Sequence, residues 1–415
     1  MTMHSQTMRR STIERQRSRT TWTLFVAVAL GSTALYAAFT AAPLVAREIG
    51  ASRAWSGVPG AASIIGTALG STVLSWVMAR RGRRAGLALG WAIGVFGGVV
   101  AAIAVAASAF AGLLLAMALI GIGHAATQLS RFAATDIHPE ERRPLILGWV
   151  VWASTIGAAL GPSLLGAGRA AARVFDATPL SGAFVIVVVF YVVALLCGEA
   201  LRPDPTELAV DDTTTEMSSN VSALRSSPHV RAALILMVVG QVAMILIMTM
   251  TPVHVSEHGH GLGVVGLVMS SHLIGMFAFA PPIGKLVGRI GSLKTAIIGM
   301  LLLTAAAAGA AGAPPDSSVL IGVSLFLLGL GWCFGFVAGS ALLTKGLAYM
   351  ARVRLQGSVD SIVWAFTAVA SLSSGVLLAT WSYAVLALIA GAIVVATLVF
   401  TATGRLRLEV VPATG

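Results

Sequence analysis

Apolar runs of about 20 residues recur from one end of this chain to the other, each long enough to cross a ~30 Å hydrocarbon core as an α-helix. Within hydrocarbon no water satisfies a bare backbone N–H or C=O, so helix is the conformation open to such a run. Twelve runs are centred near residues 34, 66, 96, 120, 156, 190, 241, 275, 302, 332, 367 and 392. Composition agrees: 57% of the residues are hydrophobic and 10% are charged, against roughly 25% charged in a soluble domain. The expected class is an all-α membrane protein with twelve transmembrane helices.

The net charge of +11 raises the question of nucleic acid, and its distribution answers it. With the N-terminus inside, 23 of the 27 basic residues fall on the cytoplasmic side, leaving Arg47, Arg53, Arg169 and Arg173 outside. A bias of that kind sets membrane orientation, so both termini are expected in the cytoplasm of an inner (plasma) membrane protein. No nucleic-acid partner is implied. Cys197 and Cys333 lie within apolar runs of different halves and read as buried free thiols rather than a disulfide.

Between Leu201 and Pro228 the apolar pattern gives way to RPDPTELAVDDTTTEMSSN, a polar linker of the kind that divides halves. The expected organisation is a basic, disordered cytoplasmic tail (1–21), an N-terminal six-helix half (22–200), a cytoplasmic linker (201–229), a C-terminal six-helix half (230–403) and a second tail (404–415). The halves share a mark. SWVMARRGRR, Ser75 to Arg84, follows the second helix, and GKLVGRIGSL, Gly284 to Leu293, follows the eighth. A shift of 209 residues, from Ser75 to Gly284, lays Gly82 on Gly291 and Arg80 on Arg289.

Six plus six helices, a central linker and a short basic Gly-Arg loop after helices two and eight resemble the major facilitator superfamily over nearly the whole chain. The superfamily's loop signature, G-x-x-x-D-R-x-G-R-R, is departed from at its acidic position by Ala79 and Gly288, which puts a charge relay on that Asp in question. GAALGP, Gly157 to Pro162 in the fifth helix, is similar to the antiporter-type motif, in which glycines permit close helix contact and the proline bends the helix.

The segment Met237 to Met276 holds six of the 14 methionines and four of the eight histidines. Met244 and Met248 are four apart in the seventh helix, and His272 and Met276 four apart in the eighth, so each pair shares a helix face. Counting inward from the loop near Val253 and Gly263, Met244 and His272 lie at a common depth of roughly 13 Å. Met248 would stand opposite Met269, with His254, Glu257, His258 and His260 at the outer mouth. Thioethers and imidazole suit a soft cation; methionine as packing is the ordinary alternative. The paired spacings resemble the CcoA-like group of facilitators, whose named member is a bacterial copper importer. That resemblance implies metal handling by Met244, Met248, His272 and Met276, and position along the same path makes Met269, His254 and Cys333 candidate auxiliary ligands.

Other polar residues fall within the apolar runs. His124 and Gln128 share a face in the fourth helix and are expected to line a cavity, while Arg131 is expected to snorkel to the cytoplasmic surface. Gln356 and Asp360 share a face in the eleventh. Asp360 is either a proton-coupling group or inner gate, or the partner of Lys345, Arg352 or Arg354.

No P-loop, CxxC metal module or catalytic constellation is present, so an enzyme or ATP-driven pump is not expected, and transport must draw on a gradient. No resident cofactor is implied. The leading expectation is a monomeric secondary transporter that takes up copper as its cargo. An organic solute, a drug or a vitamin such as riboflavin, is the alternative, favoured by GAALGP and by Trp91, Trp149, Trp152, Trp332 and Trp364.

Overall fold

Proline and glycine punctuate the helices where the sequence places them. In the computed structural model the described residues are 3–49, 55, 57–164, 168, 181–210, 227–259, 262–314, 317–343 and 349–402. They form α1 (Met3–Glu48), α2 (Val58–Arg81), α3 (Arg83–Ala106), α4 (Phe110–Asp136), α5 (Arg143–Ser163) and α6 (Ser181–Glu199). After the linker come α7 (Pro228–Glu257), α8 (Leu262–Phe277, resuming as Ala280–Ile290), α9 (Ser292–Gly312), α10 (Ser318–Leu343), α11 (Tyr349–Thr380) and α12 (Tyr383–Ala402). All twelve are long and apolar enough to cross a membrane. The break in α8 precedes Pro281 and Pro282, which have no N–H to continue the ladder and whose rings crowd the preceding turn.

The N-terminal arm corrects an expectation. Read as a disordered tail, it is instead the start of α1, helical from Met3. The stretch before Thr21 has neither Gly nor Pro, and Glu14 and Arg17 pair one turn apart at 3.6 Å, so nothing local stops the helix. Much of the linker, the C-terminal tail, Arg169, Arg173, His260 and Lys345 lie outside the described residues.

The chain divides into two compact units: Met1–Asp212 with Gln356–Ala365, and Thr213–Leu355 with Phe366–Gly415. The boundary falls within the linker, and α11 contributes one stretch to the first unit and the remainder to the second. In the first unit α4 is central, packed by α1, α2, α3 and α5, while α6 lies on α1 and α3. In the second, α10 takes the corresponding place among α7, α8 and α9, and α12 lies on α7 and α9. One six-helix plan is thus used twice.

The repeated loop carries the same geometry in both units. Gly82 and Gly291 have φ of 88° and 87°, a conformation that glycine adopts without Cβ strain. In each case the glycine ends one helix and caps the next. This is why the Gly-Arg mark survives at a fixed spacing while the flanking residues differ.

Candidate functional site

The apolar runs build helices; the few polar residues set within them are what need explaining, because an ionisable group away from water persists only when paired. In the first unit they form a continuous chain. Arg131 Nη2 donates to both oxygens of Asp360, at 2.7 and 2.9 Å. Both residues are about 2% exposed. The Arg131 Nη1 group donates to the main-chain and side-chain oxygens of Gln128, at 2.8 and 3.0 Å. That contact fixes the amide: its oxygen faces Arg131, so its nitrogen is the donor to His124 Nε2 at 3.0 Å. His124 is therefore the tautomer that carries its proton on Nδ1. Nδ1 is buried with no hydrogen-bond partner among the described residues, and the ring packs T-shaped against half-buried Trp364 at a centroid distance of 5.6 Å. A buried N–H left unpaired costs about 1–3 kcal/mol, so the one at His124 stands ready for a ligand's acceptor.

Two sequence expectations are corrected by this chain. Arg131 does not snorkel to the surface, because Asp360 lies close enough to compensate its charge in place. The partner of Asp360 is Arg131, not Arg352 or Arg354. Arg352 is itself buried and lies over the Tyr349 ring.

A second buried cluster escaped the sequence reading. Arg83 is fully buried and its guanidinium contacts Asp136 at the end of α4, Gln356 on α11 and the Met78 sulfur. Backbone N–H groups of Arg83 and Arg84 donate to the Asp204 carboxylate, at 3.2 and 3.1 Å. A carboxylate thus still serves this loop although Ala79 replaces the signature's acid: Asp136 meets the side chain and Asp204 the backbone. Gln356 Nε2 has no hydrogen-bond partner. Of the cluster's members the sequence had singled out only Gln356, for sharing a face with Asp360, and nothing local tied it to Arg83.

The second unit holds the methionine and histidine residues of α7 and α8. His272 is fully buried, with Nδ1 2.9 Å from the Leu325 carbonyl oxygen of α10. A carbonyl can only accept, so Nδ1 carries the proton and Nε2 keeps its lone pair. Among the described residues no group hydrogen-bonds Nε2. Met244 and Met276 are buried, while Met248 and Met269 are half-buried. The carbonyl that orients the His272 ring belongs to α10. Gly329 permits this, since a Cβ there would run into the His272 carbonyl oxygen.

Farther along α7, His254 stacks on Tyr383 at 4.2 Å and 9° and lies 4.4 Å from the His258 ring. Among the described residues no three His, Cys, Asp or Glu side chains group as a metal site. Cys333 is buried and free. Trp332 donates to Gln241 at 2.6 Å and stacks on Phe336. Trp91, expected to serve a solute or the membrane surface, is instead a core residue, fully buried and bonded to Thr127.

Comparison with known proteins agrees with this architecture. The family model described as Major Facilitator Superfamily matches residues 24–347. An uncharacterized MFS-type transporter, YdeG of Bacillus subtilis (strain 168), is 31% identical over 380 residues, covering 89% of this chain and 88% of its own. The riboflavin transporter RfnT of Brucella anthropi is 29% identical over 357 residues, covering 86% and 88%. The crystal structure of the human organic anion transporter MFSD10 superposes with a TM-score of 0.72 at 15% identity, over 92% of this chain and 99% of that one; at that identity the likeness is one of fold. With a family model spanning most of its length, the chain belongs to the Major Facilitator Superfamily.

Proposed function

We propose that this protein is a proton-coupled secondary transporter of a small organic solute, in which His124 and Trp364 contact the solute and Asp360 carries the proton. The observation that carries this reading is the buried chain from Asp360 through Arg131 and Gln128 to the unpaired Nδ1–H of His124. Its chemistry is simple. With Asp360 ionised, the carboxylate holds Arg131, and Arg131 in turn orients the amide that fixes the His124 tautomer. Protonation of Asp360 removes the charge that compensates Arg131, so the buried pair loses its reason to stay closed. Loading of a proton at one end and of a solute at the other are thereby linked through shared hydrogen bonds.

An indole beside an imidazole donor suits a planar solute with a hydrogen-bond acceptor. The relative that transports riboflavin makes that vitamin the first cargo to test. In proteoliposomes with an imposed pH gradient, wild type is expected to concentrate riboflavin. Asp360→Asn is expected to lose gradient-driven accumulation while keeping solute exchange, and His124→Ala to weaken solute affinity at least tenfold, about 1.4 kcal/mol. Accumulation by Asp360→Asn equal to wild type contradicts the assignment.

Copper uptake is the second reading, and one observation favours it. The buried lone pair on His272 Nε2, oriented from behind by the Leu325 carbonyl, is the form of imidazole that ligates a metal. Met276 one turn on and Met244 and Met248 on α7 would supply soft sulfur along the path. Uptake of labelled copper by cells carrying His272→Ala separates the readings: loss supports copper as cargo, and uptake equal to wild type removes it.

A further inference from the structure

Where the basic ends of α1 and α5 meet in the first unit, they enclose a cleft of about 420 Å³ that takes no part in the polar chain above. One wall is aromatic and continuous. Trp22 meets Phe25 edge-on at 5.3 Å, Phe25 stacks on Trp152 at 6.0 Å, and Trp152 meets Trp149 at 6.2 Å. Trp22 and Trp149 are 61% and 46% exposed, indole surface free to lie against lipid. The other end of the cleft is polar. His138 Nε2 is 2.9 Å from the Thr21 hydroxyl, and exposed Arg142 enters the cleft with no ion pair among the described residues. Glu14, the acidic lining group, is already turned toward Arg17.

The two ends are stacked along the helix axes. Trp22 follows Arg19 by three residues and Trp149 follows Arg143 by six, which at 1.5 Å per residue sets the indoles roughly 5–10 Å deeper than the guanidinium level. That is the distance between the phosphate of a phospholipid and the start of its acyl chains, and tryptophan prefers that depth. The bias of basic residues puts this end at the cytoplasmic leaflet, where anionic lipids are found. We infer that this cleft binds an anionic phospholipid, with Arg142 on the phosphate and the Trp22 to Trp149 wall against the glycerol and upper acyl chain. A zwitterionic headgroup would bring its own cation to Arg142, so charge complementarity selects the anionic lipid over phosphatidylcholine.

Native mass spectrometry of the full-length protein, released from vesicles of equal phosphatidylglycerol and phosphatidylcholine, tests the inference. Wild type is expected to retain phosphatidylglycerol preferentially. Arg142→Ala, a change on an exposed side chain, is expected to reduce that preference about fivefold, the effect of one interfacial arginine, and Trp149→Ala to shorten retention of both lipids. Arg289→Ala, an exposed arginine in the last turn of α8 in the second unit, is expected to leave the preference unchanged. Equal retention of the two lipids by wild type overturns the inference, as does an Arg142→Ala variant with undiminished preference. So does an equal loss on Arg289→Ala, which would assign the effect to overall charge.

Discussion

At the scale of single residues, the first unit is organised by two buried ion pairs, Arg131 with Asp360 and Arg83 with Asp136. Asp360 and Arg131 are each buried, so truncating one leaves the other uncompensated in a medium that cannot solvate it. Asp360→Ala is expected to destabilise the protein by about 3–5 kcal/mol, whereas the double change Asp360→Leu, Arg131→Met should recover most of that loss. Denaturant or steric-trapping unfolding of the two variants measures the difference. His138, outside the membrane-spanning segments, makes a separate pH prediction. Burial, reinforced by the positive charge of Arg17, lowers its pKa from 6.5 to about 4. Between those values the unfolded chain binds a proton that the folded one refuses, so stability is fully present above about pH 6.5 and declines as pH falls toward 4. His138→Gln should flatten that part of the melting-temperature profile, which corresponds to roughly 3 kcal/mol at most. A profile that keeps its full slope after the substitution would remove His138 as the cause.

At the scale of elements, helices approach closely where a side chain is absent. A Cβ at Gly329 would collide with the His272 carbonyl oxygen, and one at Gly275 would meet the backbone of α10 near Phe326. Gly329→Val is expected to push α8 off α10, cost about 1–3 kcal/mol and disturb the His272 to Leu325 contact. Gly288, helical with nothing near its Cβ position, should respond with the opposite sign, Gly288→Ala stabilising by about 0.5–1 kcal/mol. Comparing the two melting temperatures checks both. The helices themselves were legible in the sequence because spanning length is a local property: twenty apolar residues declare a span without reference to the rest of the chain. The same holds for Gly82 and Gly291, whose shared offset is a shared φ. The N-terminal arm was misread because polarity was taken for disorder where nothing broke the helix.

At the scale of the whole molecule, pairings between distant stretches were the part that local pattern did not reveal. His124 and Gln128 were recognised together because four residues separate them on one helix. Asp360 was singled out as costly and Gln356 was placed on its face, yet their partners Arg131 and Arg83 lie far away in sequence and had read as surface charge. Likewise the spacing of His272 and Met276 did not reveal the α10 carbonyl that holds the His272 ring. Proton movement that accompanies solute movement is the measurement that bears most directly on the central assignment. In vesicles loaded with a pH indicator and no imposed gradient, adding solute to wild type should shift internal pH as solute enters, and Asp360→Asn should carry solute without that shift. Solute entry into wild-type vesicles with no pH change, or an unchanged shift in the Asp360→Asn protein, would contradict the account.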